Sequence, residues 1–138
     1  MKVFLDTNVL VSAFTTRGLC ADVVRVVLAE HELMLGEVNI QELTRVLLDK
    51  MAVPAGIVRG IEELLREQTV IPKPAAPSAV RIRDEDDAWV LASAEAGDAE
   101  ILVTGDRDLL DIAAKTSIRI LDPRGFWELL QQGDDPGA

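Results

Sequence analysis

The chain has 138 residues, 49% of them hydrophobic and 28% charged, an ordinary composition for one soluble globular domain, long enough to bury about two-thirds of its unfolded surface without staples. Its single cysteine, Cys20, excludes an internal disulfide and a Cys-rich zinc cluster, and 14 Lys plus Arg against 24 Asp plus Glu leave a net charge of −10 that argues against broad, non-specific binding to nucleic acid or membrane. No apolar run approaches the roughly 20 residues needed to span a bilayer, and Asp6 interrupts the opening where a signal peptide would be apolar, so a cytoplasmic protein with no membrane contact is expected.

The apolar run at the start, closing on Asp6, reads as a buried strand over residues 2 to 6. Val9, Leu10, Ala13 and Phe14, then Val23, Val24, Val27 and Leu28, recur at helical spacing with a break near Gly18. Leu33 to Leu35 is a second strand closed by Gly36, and Val38, Glu42, Leu43, Val46 and Leu47 outline the next helix. Pro54 opens another, with Ile57, Val58, Ile61, Leu64 and Leu65 as its apolar face. Val70 and Ile71 read as a third strand, and Pro72, Pro74 and Pro77 keep the segment to about Ser78 extended. Asp84 is placed to cap a helix that runs to Ala96 and stops at Gly97. Ile101 to Val103 is a fourth strand, a short helix comes after Asp106, and Ile118 to Leu121 is a fifth strand. The last helix contains Phe126, Trp127, Leu129 and Leu130, and a polar, disordered tail spans 133–138.

Strands alternating with helices predict an α/β fold, a three-layer α/β/α sandwich around a mostly parallel sheet of about five strands, in one domain over residues 1–132. Asp6 ends the first strand and Asp106 follows the fourth by two residues, so both emerge at the carboxyl edge of the sheet, where open α/β folds place their sites. Glu42 and Asp87, in the first halves of two helices, are placed to point toward the same edge. Carboxylates crowded together raise one another's pKa unless a cation neutralises them, and hard oxygen ligands in this number suit Mg²⁺ or Mn²⁺. Asp84 is read as a cap. Asp86, adjacent to Asp87, points about 100° away on a helix, so only one of the two faces the site. Asp108 is either a further ligand or the cap of the short helix, the cap being the preferred reading. The lone histidine, His31, falls far from this edge, which excludes a metal-free mechanism using paired histidines.

FLDTNVLVSAF at positions 4 to 14, EL at 42 with VL at 46, DAWVLASA from Asp87 and VTGDRDLL from Val103 resemble, in order, the four acidic motifs of the PIN-domain family. The likeness spans residues 3 to 110 and is strongest to the toxin components of toxin–antitoxin pairs. It implies a metal-dependent endoribonuclease whose catalytic and metal-binding set is Asp6, Glu42, Asp87 and Asp106, with RNA as substrate. It further implies a cognate antitoxin as partner and a homodimer, with the apolar segments at 57 to 65 and 126 to 130 available for pairing. Thr7, Asn8 and Thr104 would orient the carboxylates or the attacking water; alternatively Asn8 and Thr104 only satisfy backbone groups where strands turn into helices. Asn39 departs from the Ser that relatives often carry, and residues 52 to 83 match no motif.

Arg17, Arg81, Arg83, Arg107 and Arg124 are the basic candidates for touching RNA. Trp89 and Trp127 could stack on bases, but each lies among apolar residues, which favours core or interface packing. Two other α/β machines are disfavoured by the residues present. A receiver domain needs an Asp ending the third strand, and a haloacid-dehalogenase-type phosphatase needs an Asp at position 8, which is Asn8. A degenerate, non-cleaving PIN module or a non-toxin RNA-processing nuclease remains the alternative.

Overall fold

The computed structural model describes residues 1–133, so the tail beyond Gly133 lies outside the described residues. Five parallel strands, β1 (Lys2–Leu5), β2 (Glu32–Gly36), β3 (Thr69–Ile71), β4 (Ile101–Val103) and β5 (Arg119–Leu121), form one sheet in the order β3-β2-β1-β4-β5. Every neighbouring pair is parallel, as in Val3 opposite Leu33 on one side and Ile101 on the other. The helices are α1 (Thr7–Thr15), α2 (Leu19–Glu30), α3 (Glu37–Arg45), α4 (Ala55–Arg66), α5 (Glu85–Ala96), α6 (Arg107–Asp111) and α7 (Pro123–Gly133).

Alternation along the central strand decides the layers. Val3 and Leu5 face a core shared with α1 to α4 and α7, whereas Phe4 faces a second core with Met34, Leu102, Ile120, α5 and α6. Because β1 is buried on both faces it carries no polar residue between Val3 and Leu5, the signature of an interior parallel strand. Each fully buried side chain of this kind contributes about 1.5–3 kcal/mol. The chain leaves β1 toward β2 and β3, then crosses back to enter the sheet as β4 on the other side of β1. This makes the gap beyond the carboxyl ends of β1 and β4 the point where strand order reverses, where parallel open sheets leave a crevice.

Several boundaries differ from the sequence reading for local reasons. The helix predicted through Leu47 changes pitch at Val46, and Val46–Lys50 forms a π-helical turn before Ala52 takes φ 51°. Gly97 does not supply the left-handed residue that ends α5; Asp98 does, at φ 54°. Gly97 matters for its size, because a Cβ there would lie 2.4 Å from Met34 Cε and 2.7 Å from Ile71 Cδ1. On α4 the predicted apolar face is only partly covered: Val58 and Leu65 are buried, while Ile57 is 57% exposed. Arg66 fastens α4 to α3 by a two-pronged bond to Glu37 (2.8 and 2.9 Å), with Glu62 at 2.9 Å, and the Arg66 guanidinium holds the Glu37 carboxyl below its ordinary range.

Two glycines give opposite expectations. Gly60 lies inside α4 with open space around it, so Gly60→Ala stabilises by about 0.5–1 kcal/mol through helix propensity and a less flexible unfolded chain. A Cβ on Gly36 would sit 2.9 Å from Ser93 Oγ and 3.0 Å from Asn39 Oδ1, so Gly36→Ala destabilises by about 1–3 kcal/mol. Urea denaturation midpoints measured side by side check both signs.

Candidate active site

Asp6 leaves the sheet as β1 ends, and its backbone N–H still bonds across to Val103 O at 3.0 Å. It then takes extended dihedrals as the N-cap of α1, with Oδ1 accepting from Thr7 N at 2.7 Å. The carboxylate is 4% exposed and held from three more directions. Oδ2 accepts from Thr104 Oγ1 at 2.8 Å and from Asn8 Nδ2 at 3.1 Å, and Asn39 Nδ2 reaches Oδ1 at 3.3 Å.

These partners are themselves fixed. Thr104 Oγ1 gives its one proton to Asp6 and accepts from Asp106 N at 2.9 Å, which couples the ends of β1 and β4. Asn8 Oδ1 accepts from Gly105 N at 2.9 Å. Asn39 is fully buried, takes Gly36 N on its Oδ1 at 2.9 Å, and donates to Thr7 Oγ1 at 2.9 Å. The sequence marks Asn39 only as a departure from a motif. Its position three residues after Gly36, where a helix begins, is the available signal for a capping side chain.

Asp6, Glu42, Asp87 and Asp106 line one cavity of about 550 Å³ at the carboxyl edge, together with Thr7, Asn8, Asp84 and Asp86. Glu42 projects from α3 and is exposed, Asp87 sits in the first turn of α5 and is buried, and Asp106 follows β4 half-buried. Three details correct the sequence reading. Asp106, not Asp108, caps α6: it has the extended dihedrals of an N-cap and its Oδ1 accepts from Asp108 N at 2.8 Å. That frees the Asp108 carboxylate to join Asp84 and Asp87 in a triad whose oxygens lie within 4.8 Å of one another. Asp84 therefore does two things, capping α5 through a 2.9 Å bond from Asp86 N and standing in that triad. Asp86 also borders the cavity, from an exposed position, because the mouth is broad enough to take consecutive residues of α5.

The electrostatics are those of an unneutralised cluster. Burial pushes the Asp87 carboxyl up to about 8, reinforced by the charge of Asp106, a hydrogen bond with it, and the charges of Asp6 and Asp84. Asp6 is pushed up to about 6, again chiefly by burial; the bonds from Thr104 and Thr7 pull it down and the charges of Glu42 and Asp106 push it up. Asp87 Oδ2 is buried with no hydrogen-bond partner among the described residues. An orphaned carboxylate oxygen facing other carboxylates is what a hard divalent cation would satisfy, so the donor set fits Mg²⁺ or Mn²⁺.

None of Arg17, Arg81, Arg83, Arg107 and Arg124 lines this cavity. The adjoining groove carries Arg45 and Lys73 instead, with Trp89, and shares Glu42, Asp86 and Val90 with the acidic cavity. Arg45 lies three residues after Glu42 on α3, a same-face spacing legible in the sequence; Lys73 is brought in by the loop after β3, which is not. Trp89 also departs from the expectation of core packing, being half-buried and a member of neither core, with Lys73 Nζ 4.9 Å from its ring centre. Trp127 does pack against the larger core. His31 ends α2 at the opposite edge, half-buried, with Nδ1 3.3 Å from the Met1 amine. A larger cavity of about 800 Å³ lies at that edge too, between Met1, His31, Trp127 and Leu130.

A family model for the PIN domain matches residues 2–108. Solved structures with the same fold include VapBC2 from Rickettsia felis bound to a DNA fragment from their promoter (TM-score 0.64, 13% identity, 88% of this chain and 98% of that one). FitAcB from Neisseria gonorrhoeae (0.64, 14%, 88% and 98%) and PAE2754 from Pyrobaculum aerophilum (0.64, 20%, 96% of each chain) are similarly alike. No curated protein matches the sequence. Among the described residues no helix is long and apolar enough to cross a membrane.

The raised carboxyls set the sign of a pH effect. A folded carboxyl raised above its unfolded value binds protons more tightly when folded, so its stability contribution is greatest below the unfolded value and declines as pH rises through the folded one. For Asp87 that window runs from 3.8 to about 8 and for Asp6 from 3.8 to about 6. The metal-free protein therefore loses thermal stability as pH rises from about 4 to about 8. Asp87→Asn flattens this fall and melts above wild type at the alkaline end. Thermal melts of both proteins in chelator across the range check it.

Proposed function

The chain belongs to the PIN-domain family, and on that footing we propose that it is a Mg²⁺- or Mn²⁺-dependent endoribonuclease, the toxin of a toxin–antitoxin pair. The observation that carries the reading is the orphaned Asp87 Oδ2 in a cavity where carboxylates converge from four distant parts of the chain. Asp6, Glu42, Asp87 and Asp106 hold the metal, with Asp84 and Asp108 beside Asp87 as further acidic oxygens. A divalent ion bound there supplies a water of lowered pKa and charge stabilisation at a phosphodiester.

The protein's own residues do the positioning. Thr104, Asn8, Asn39 and the Thr7 amide fix both Asp6 oxygens as acceptors, so this carboxylate neither rotates nor needs a proton to be satisfied. Thr104, receiving Asp106 N, keeps Asp106 in register with Asp6. Asp87 holds a proton at neutral pH when alone and must release it to serve as a ligand, so loading is favoured as pH rises. The acidic surface, net −10, repels RNA until cations reverse the local field.

The antitoxin partner is supported by the likeness to VapBC and FitAB proteins. A homodimer belongs to the same proposal, with exposed Ile57 and Leu64 on α4 as apolar surface available for pairing. The same reading places the protein in the cytoplasm.

Unstructured RNA is cut in Mn²⁺ or Mg²⁺ and not in chelator. Asp6→Asn lowers kcat/KM by at least about a hundredfold, since even the groups that orient a metal ligand are worth roughly 10–100-fold. Asp111→Asn, on the exposed side of α6, leaves the rate unchanged. Equal cleavage by wild type and Asp6→Asn would exclude this site as its source, and a purified protein that binds but never cuts RNA would be a binding module.

A further inference from the structure

We propose that Trp89, Lys73 and Arg45 form a platform for one unpaired nucleotide next to the bond that is cut: a base stacks on the Trp89 indole while Lys73 and Arg45 take the neighbouring phosphates. The proposal rests on the nuclease reading and adds where the substrate strand runs. The groove measures about 450 Å³ and shares Glu42, Asp86 and Val90 with the acidic cavity, so a strand with a phosphate among the acids continues into it.

Three independent features mark the groove as built for a nucleotide. First, Trp89 is a member of neither core, and its half-buried indole, two residues after Asp87, borders this groove. Second, Lys73 and Arg45 place two exposed cations on a groove that adjoins the acidic cavity, in a protein of net charge −10. Third, Pro72 and Pro74 flank Lys73 and hold its backbone extended, so the ammonium is presented over the ring at 4.9 Å by a constrained loop. Such a cation–π contact is weak at an exposed site. A stacked base binds the ring more strongly and displaces the ammonium, which stays within reach of the sugar–phosphate chain. Gln41, also in the groove, offers an amide to a base edge. Stacking tolerates any base, so this platform recognises single-stranded character more than sequence.

The test compares an end-labelled oligouridine with an oligomer of the same length made of abasic sugar–phosphate units, binding the full-length protein in Mn²⁺, with cleavage kinetics measured on the same preparations. Wild type binds oligouridine about tenfold to a hundredfold more tightly than the abasic chain. Trp89→Ala abolishes that preference and raises KM with kcat retained, while Trp89→Phe keeps part of it and shows that the indole's role is stacking. Lys73→Ala and Arg45→Ala weaken both ligands alike and make binding less steep in salt. A base preference that survives in Trp89→Ala, or wild type that does not distinguish the two oligomers, overturns the platform. If RNA is cut but the Trp89 variants match wild type, the platform fails and the nuclease stands. If nothing is cut yet the base preference depends on Trp89, the nuclease reading fails and the platform stands. Circular dichroism of each variant checks that it is folded.

Discussion

The structure is organised around an unfavourable interaction, the approach of several carboxylates at the edge of a parallel sheet. Asp6 and Asp87 are buried almost completely, and both are pushed above the usual carboxylate range by that burial and by one another's neighbours. Water would solvate these groups if the chain were unfolded, so folding has to offset their desolvation with apolar packing elsewhere. The two cores do so: Phe4, Leu5, Leu10, Phe126 and their neighbours are fully buried above and below the same strand ends.

The protein treats its two buried acids differently. Asp6 is saturated with donors from α1, α3 and the end of β4, so its position is over-determined and its charge partly compensated. Asp87 keeps an oxygen with no partner among the described residues. One carboxylate is thus held in place by several donors while the other keeps an oxygen without one, a difference set by hydrogen bonding and not by residue type. The same economy recurs at Asp84 and Asp106, each of which caps a helix with one carboxylate while bordering the acidic cavity.

Most of the fold was legible because the pattern is strongly periodic. Continuous apolar runs at β1, β2 and β4, separated by helical spacing and closed by Gly or Asp, specify parallel strands and their crossovers with little ambiguity. The edge at which Asp6 and Asp106 emerge follows from that topology alone. The part that was not legible depends on side-chain geometry across elements. Which of Asp106 and Asp108 caps α6 turns on which of them keeps extended backbone before the helix, as Asp106 does at φ −78° and ψ 120°, and both residues are good caps in sequence. Asn39 bridges Gly36 to Asp6 over 33 positions, and no local pattern announces a contact of that range. Lys73 and Trp89 meet because a proline-bounded loop comes back to α5, so a tryptophan placed among Val and Leu in sequence joins neither core.

The hydrogen bond from Thr104 N to Leu121 O carries a consequence for how the molecule comes into being. Thr104 is the hinge pin between Asp6 and Asp106, and it is itself seated by β5, the edge strand latest in the sequence. Until β5 is in place, then, the residue that links Asp6 to Asp106 lacks this backbone acceptor. The seat of the acidic centre therefore depends on an edge strand that contributes none of its carboxylates.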